Sequence, residues 1–479
     1  MSDNNEYRDQ RLANMRELET RGYNPFGAAF ARTAAIAQIR EPYEEGRAVK
    51  AAGRVASWRD MGKIIFADIA DGSGRIQLFI GKNQIGDGAF DAFKFIDIGD
   101  HIGVSGILMT TRTGEITIKL DAWTILSTTL LPPPEKWHGL QDTEERYRHR
   151  YLDLNASPES RDRFNKRVAL MREIRAFLEE RDFKEVETPM MQPQAGGAAA
   201  RPFVTHYNAL DCQMYMRIAP ELYLKRLLVG GFDKVFEMNR NFRNEGLDRT
   251  HNPEFTVLEI YEAYADKQAM MELVESMMTR LCEKVIGSFK IMCGENEIDF
   301  TPPYRVAAYK DLVTAKMGAS WWGLDSATAR AQALEAGVSC APDWNHLLVT
   351  HEIYDKLIEK SIFQPTFVTG IPREFIPLAK TCADDPTLAD AFEFVVAGRE
   401  LCPGYTEQNN PIAQREAFEI QAGEDTAKID EDFIAALENG MPPAGGMGIG
   451  IDRLVMMLTG ADAIRDVILF PQLKQKNRT

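Results

Sequence analysis

The residues with the most chemical potential lie between positions 234 and 265. Two segments of alternating apolar residues, in KVFEMNRNF and EFTVLEIYEAY, flank the polar stretch Arg243-Asn244-Glu245-Gly246-Leu247-Asp248-Arg249-Thr250-His251-Asn252-Pro253. That stretch is too long and too charged for a simple hairpin turn, and charged groups held on a loop by a rigid sheet are where function concentrates. In the second segment, the period-two geometry of a strand puts Phe255, Val257, Glu259 and Tyr261 on one face. A carboxylate and a phenol beside an aromatic ring are costly in a pure core and useful in a polar pocket. Further along, FEFVVAGRELCPGYTE carries Glu393, Glu400 and Glu407 in a strand-like run. Three carboxylates there call for a cation, either metal ions carried by a nucleotide or a cationic substrate. Finally, GGMGIGIDRLVMML sets a glycine-rich strand just before a helix with Arg453 near its start. Glycines let a ligand approach the backbone, and a fixed guanidinium pairs with phosphate or stacks on a base.

These groups need a frame, and the hydrophobic pattern supplies one. Residues 6–22 carry Leu12, Met15 and Leu18 at helical spacing and stop at a glycine. From 49 to 131 the pattern alternates. Ile76, Leu78 and Ile80 share one face with Arg75, Gln77 and Phe79 opposite, and Ile116, Ile118 and Leu120 share one face with Glu115, Thr117 and Lys119 opposite. Joined by turns such as Asp71-Gly72-Ser73-Gly74, these segments predict a small antiparallel barrel of about five strands. Pro132-Pro133-Pro134 then breaks the chain, which sets an N-terminal domain over 1–140 and a second domain over 141–479. In the second, residues 163–181 are strongly helical ahead of a strand-like KEVETP. Regular strand-helix alternation is missing, so the expected fold class is α+β, with an antiparallel sheet flanked by helices.

Bulk composition narrows the options. With 44% hydrophobic and 27% charged residues over 479 positions, the chain has room for two or three cores. No run approaches the roughly 20 apolar residues of a membrane span, and MSDNNEYRDQ lacks the basic-then-apolar order of a secretory signal, so a cytoplasmic location and no membrane partner are expected. The six cysteines form no CxxC pair and read as reduced thiols rather than a disulfide or zinc framework. A net charge of −15 argues against nucleic acid. Against that veto, Arg146, Arg148, Arg150, Arg161, Arg163, Lys166 and Arg167 fall in one short segment, either a local basic surface or a solvated helical face.

Several long segments together carry a resemblance. TPMMQPQAGGAAARPF, MYMRIAPELYLKRLLVGGFDKVFEMNRNFRNEG, THNPEFTVLEIYEAYAD and GGMGIGIDRLVMMLTGADAIRDVILFP are similar to the signature segments of class II lysyl-tRNA synthetases. WHGLQDTEERYRHRYLDL and RGYNPF resemble that family's linker and leader, so nearly the whole chain is covered. The resemblance implies an OB-fold anticodon-binding barrel followed by a class II catalytic domain, acting on lysine, ATP and lysine tRNA with magnesium. It also implies a homodimer whose interface uses the helix and strand ending at Pro189.

By position, Arg243 resembles the loop arginine that holds the α-phosphate and the amino acid's carboxylate; Glu245, His251 and Phe255 match the ATP-binding residues, with Phe255 on the adenine. Arg453 matches the arginine on the opposite side of the nucleotide. Glu393 and Glu400 match the magnesium carboxylates. Glu407 and Tyr261 match the ligands of the ε-ammonium, Glu221 and Gly197 those of the α-amino group, and Glu259 belongs to the same acidic pocket. Arg59, Phe66, Gln77 and Glu115 match positions that read the uridine-rich anticodon; Phe66, opposite the apolar face of its strand, presents an aromatic ring as base stacking requires.

Three departures bear on these expectations. Pro403 stands where the family commonly has an asparagine lining the lysine site, and Gln408 where it has a leucine. Thr250 replaces an arginine of many bacterial members; either Arg249 substitutes or an arrangement without that arginine applies. The nearest rivals are the aspartate and asparagine synthetases, whose acidic substrate calls for basic pocket residues where this chain offers Glu221, Glu259 and Glu407. A synthetase-like enzyme that modifies a protein characteristically lacks the barrel, and an RNA-binding scaffold has no need of a complete nucleotide set.

Overall fold

In the computed structural model, which describes residues 2–133, 140–198, 200–422 and 429–474, the alternating segments near the N-terminus close into a barrel. Its strands are β1 (Ala48–Asp60), β2 (Ile64–Ala70), β3 (Arg75–Gly81), β4 (His101–Thr110) and β5 (Ile116–Ser127), in the order β1-β2-β3-β5-β4. Ile65, Ile69, Ile76, Leu78, Ile80, Ile118 and Leu120 fill the interior with no exposed surface. One edge differs from the expected antiparallel pattern: β3 pairs with β5 in parallel, Leu78 opposite Ile118. The short helices Lys82–Ile85 and Asp87–Phe93 follow β3 and carry the chain across the barrel, so β4 and β5 return as a hairpin and the closing pair runs in one direction. Thr117 differs too. It is fully buried although it shares a face with Lys119, because Gln77 covers it and accepts its hydroxyl at 3.0 Å. The N-terminal helix starts earlier than its pattern suggests, at Ser2, and ends at Thr20, with Gly22 at φ +84° turning the chain away. Arg11 ties this helix to the barrel by donating to the carbonyls of Thr129 and Ile98.

The chain divides into two compact units, residues 1–142 with Tyr151–Ala156, and Thr143–Arg150 with residues 157–479. Pro134 of the triple proline and the start of the linker segment, residues 134–139, lie outside the described residues.

The second unit is built on an eight-stranded sheet. Its strands are β6 (Lys184–Glu185), β10 (Lys234–Phe242), β11 (Glu254–Ala263), β14 (Arg305–Ala308), β15 (Thr366–Thr369), β16 (Ala391–Val396), β17 (Arg399–Thr406) and β18 (Ala444–Gly450), in the order β14-β15-β16-β17-β18-β11-β10-β6. The remaining strands, β7 (Met191–Gln192), β8 (Val204–Tyr207), β9 (Cys212–Met216), β12 (Lys290–Cys293) and β13 (Asn296–Asp299), form two small accessory sheets. The six central strands are antiparallel, and only the outermost pairs, β14 with β15 and β10 with β6, are parallel. KEVETP therefore contributes only a two-residue strand at an edge. The helix predicted over 163–181 spans Pro158–Glu179, with Ser157 as N-cap accepting from the Ser160 amide and a proline in the first turn. Its Leu170, Ile174 and Phe177 pack with Met270, Val274 and Met277 of the Lys267–Leu281 helix over Phe236, Leu258 and Ile260 of the sheet. Each such fully buried side chain contributes roughly 1.5–3 kcal/mol. That core makes the opposite face of β11, β17 and β18 a rigid platform.

Candidate active site

An acidic group of side chains and an arginine-bearing pocket lie on this platform. Glu221 opens the Glu221–Val229 helix, Glu259 and Tyr261 sit two apart on β11, Tyr405 lies on β17 and Glu407 one residue past its end. Four of these side chains are almost inaccessible: Glu407 is 0%, Tyr261 2%, Glu221 5% and Glu259 8% exposed. The Tyr261 hydroxyl donates to Glu259 Oε2 at 2.7 Å, and the Tyr405 hydroxyl donates to Glu221 Oε1 at 2.7 Å. The glycine-rich strand explains how they fit. A Cβ on Gly446 would lie 2.0 Å from Glu407 Oε1 and 2.6 Å from the Tyr261 ring, so any side chain there would evict both. Gly197 has φ +83° and brings its backbone against Ala219 and Glu221. It borders a cavity of about 740 Å³ that Glu221, Tyr405, Phe375 and Leu378 also line.

Burial, with the charge of Glu221 added, pushes Glu259 up to about 8. Burial likewise pushes Glu407 up to about 8, opposed by the ammonium of Lys225 and reinforced by Glu221. Carboxylates held this far above their ordinary range have too little positive charge around them, which is the mark of a site for a cation.

The second pocket, about 210 Å³, carries arginines at its two sides among several carboxylates. Arg243, Glu245, His251, Phe255, Glu259, Glu400, Pro403 and Arg453 are among its lining residues. Glu259 lines this pocket and, by accepting from Tyr261, joins it to the acidic cluster. The Arg243 guanidinium stands 5.2 Å from the centroid of the Phe255 ring, and Arg453 reaches His251 Nε2 at 3.4 Å. Asp248 shapes the loop, accepting from the amides of Thr250 at 2.6 Å and His251 at 2.8 Å and contacting His251 Nδ1 at 2.7 Å. Thr250 lines the cavity, whereas Arg249 is exposed and absent from the lining. Arg453 is set by its neighbour: Asp452 pairs with Arg167 at 2.6 Å and accepts from the Thr256 amide at 2.7 Å, pinning the helix start to β11.

Glu393 and Glu400 lie on the adjacent hairpin. Burial and the charge of Glu400 hold Glu393 well above the usual carboxylate range, although the Tyr354 hydroxyl donates to it at 2.9 Å. Burial also raises Glu400, partly offset by Arg453. Asp355 and Glu359 add further negative charge to both. Among the described residues no three His, Cys, Asp or Glu side chains enclose an ion by themselves. Two hard carboxylates whose repulsion is only partly relieved fit a divalent cation whose other ligands are phosphate oxygens and water.

On the barrel, strand register aligns two outward rows. Arg59 pairs with Phe66 and Phe66 with Phe79; Asp68 pairs with Gln77 and Gln77 with Thr117. Phe66 meets Phe79 edge-on at 5.5 Å between centroids, and both rings stay outside the barrel core. Glu115, on the turn before β5, is exposed and pairs with Arg40 at 3.2 Å.

The basic segment at 146–167 resolves partly into internal anchors. Arg150 is 1% exposed and donates to the carbonyls of Arg465 and Leu469, and Arg167 serves Asp452. Sequence reasoning passed over Lys225, Tyr405 and the Arg167–Asp452 pair. Lys225 had a legible signal in its i, i+4 spacing from Glu221 on a helix. Tyr405 shares strand parity with Glu407, but Arg167 and Asp452 meet only through folding.

The sheet, the arginine loop and the paired pockets define the catalytic domain of a class II synthetase: residues 142–474 match the family described as tRNA synthetases class II (D, K and N), and residues 49–126 match an OB-fold nucleic acid binding domain. Curated relatives extend over the full length. A lysine–tRNA ligase of Pelotomaculum thermopropionicum is 47% identical, covering 99% of this chain and 96% of the relative, and one of Syntrophomonas wolfei is 46% identical with 98% of each covered. The chain belongs to the lysine–tRNA ligase family.

Proposed function

We propose that the protein activates L-lysine with ATP, giving lysyl-adenylate and pyrophosphate, and then transfers lysine to the 3′-terminal adenosine of lysine tRNA. The observation that carries this reading is a buried acidic cluster joined to an arginine-bearing pocket through Glu259, which lines that pocket and accepts from Tyr261. A substrate with an ammonium at its far end and a carboxylate at its near end spans that junction with each charge against its opposite. Aspartate and asparagine offer no cation to Glu407.

In this reading Glu407 and Tyr261 take the ε-ammonium, Glu221 and Gly197 the α-amino group, and Glu259 ties the two pockets together. A lysine carboxylate oxygen attacks the α-phosphorus in line, the new C(O)O–P bond forms, and the bond to the pyrophosphate oxygen breaks. Arg243 and Arg453 lie on the two sides of that transfer and offset the charge that develops, while Glu245, His251 and Phe255 position the nucleotide and its base. Catalysis is then positioning and electrostatics without a protein nucleophile. Glu393 and Glu400 would hold magnesium, which when bound neutralises phosphate charge. Pro403 supplies an apolar wall where an amide would donate, so the lysine contacts rest on the carboxylates. On the barrel, Arg59, Phe66, Gln77 and Glu115 form the anticodon surface. A homodimer is supported by apolar side chains left exposed at Val168, Met191, Val204, Tyr207 and Leu210. No helix among the described residues is long and apolar enough to cross a membrane, in keeping with work in the cytoplasm.

The test is lysine-dependent exchange of labelled pyrophosphate into ATP, with aspartate and asparagine run alongside. Exchange with lysine alone is expected; exchange with another amino acid, or with none, would falsify the assignment.

A further inference from the structure

Lys225 is the one lysine among the described residues with a fully buried side chain paired to two carboxylates, and nothing in the reaction described above uses it. Its Nζ lies 2.8 Å from Glu221 Oε1, contacts Glu407 Oε2, and approaches the Leu378 carbonyl at 3.4 Å and the Tyr405 ring at 5.6 Å. The contacts are divided in a particular way. Neither oxygen of Glu407 has a well-formed hydrogen bond among the described residues, but the ion pair with Lys225 falls on Oε2, while Oε1 lies against Gly446 with no charged partner. On Glu221 both Lys225 and the Tyr405 hydroxyl fall on Oε1. An unpartnered carboxylate oxygen inside a protein is costly to leave so and points to a ligand.

We propose that Lys225 is a positioning residue, a resident counter-ion that grips one oxygen of Glu407 and one of Glu221 from beneath and so turns their other oxygens toward the two ammonium groups of the substrate. The proposal rests on the lysine reading above and deepens it. Three buried acids, Glu221, Glu259 and Glu407, face this pocket from the helix, β11 and the end of β17, with the phenols of Tyr261 and Tyr405 between them and only glycines from β18. Their charges repel one another; Arg243 and Arg217 offset that at Glu259, and Lys225 is the cation that offsets it at Glu407. With Lys225 in place, the Glu407 carboxyl is held lower than burial alone would put it, and so gives up its proton more readily to make way for a substrate ammonium. Burial alone would lower the Lys225 ammonium, but Glu221 and Glu407 more than offset it and raise it above its ordinary value, so it stays charged.

The experiment is pyrophosphate exchange by the full-length wild type and by Lys225→Met, as a function of lysine, ATP and pH, with thermal unfolding as the check on folding. In Lys225→Met the KM for lysine is expected to rise on the order of tenfold or more, as when one partner of a buried pair is removed. The KM for ATP is expected to hold within about twofold, and the acidic limb of kcat/KM for lysine to move to higher pH, because Glu407 has lost the charge that lowered it. A folded variant with unchanged lysine KM and an unmoved acidic limb makes Lys225 packing only, and the lysine reading survives. No lysine-dependent exchange by the wild type removes both. Should Lys225→Met not fold, a crystal structure of the wild type with lysine decides: Nζ still on Glu407 and Glu221, with substrate nitrogen on Glu407 Oε1, supports the clamp, and Lys225 displaced by the substrate overturns it.

Discussion

The two pockets on the sheet solve opposite electrostatic problems in different ways. The acidic one is built from buried side chains whose charges are set by partners fixed in the core: Tyr261 on Glu259, Tyr405 and Lys225 on Glu221, Lys225 on Glu407. The arginine-bearing one is held by a loop whose shape comes from Asp248 and whose outer residues, Glu245 and His251 among them, are exposed. Burial costs the acids dearly and raises Glu259 and Glu407, whereas it lowers Arg243 without discharging a group so basic. The difference teaches that selectivity and catalysis are separated in space. A pocket that rejects the wrong side chain must be rigid and dry, because the penalty of an unpaired buried charge supplies the discrimination. A pocket that closes on a polyphosphate must admit it from solvent.

That contrast breaks most visibly at Arg243. Arg243→Ala is expected to reduce pyrophosphate exchange by about 10²- to 10³-fold, the usual effect of deleting one preorganised charge at a transition state, and mainly in kcat. If kcat held while only the KM for lysine changed, the division of labour between the pockets would be wrong. Glu407→Gln comes next. It is expected to cut kcat/KM for lysine about 10- to 100-fold, the range of a charge-assisted hydrogen bond, with the KM for ATP nearly unchanged; an equal loss against both substrates would show the pockets act as one. The barrel supplies a third contrast. Phe66→Ala is expected to weaken tRNA charging about tenfold, by loss of one base stack, and to leave pyrophosphate exchange untouched, because that half-reaction needs no tRNA.

The smallest effect is a pH dependence confined to the acidic pocket. Glu259 and Glu407 are raised to about 8 in the empty pocket, so below that pH protons compete with the incoming ammonium, and above it the ionised pair is ready. The ratio kcat/KM for lysine is therefore expected to rise about three- to tenfold from pH 6.5 to 8. The KM for ATP, to which the always-charged Arg243 and Arg453 contribute, is expected to change less over the same range; an equal change there would assign the titration to Glu259 or to the carboxylates Glu393 and Glu400.

The amino-acid sequence by itself determined the barrel interior, the arginine loop between two strands, the shared face of Glu259 and Tyr261 and the glycine strand ahead of Arg453. Each is a local pattern: a period of two, a polar insertion, a run of residues without side chains. Membership of the family was equally legible, because its signature segments are long and continuous. Tertiary structure alone decided which charges meet. The parallel closure of β3 on β5 depends on the helices that intervene, and Thr117 is buried because a neighbouring strand brings Gln77 over it. Arg150 and Arg167, read from sequence as part of either a basic surface or a solvated helical face, turn inward because carbonyls and Asp452 from the far end of the chain wait there. Lys225 finds Glu407 only when the Glu221–Val229 helix docks beside the end of β17. Patterning along a chain records which face of an element is buried, but the pairing of buried charges is a property of elements brought together from distant segments, and it appears only when they pack.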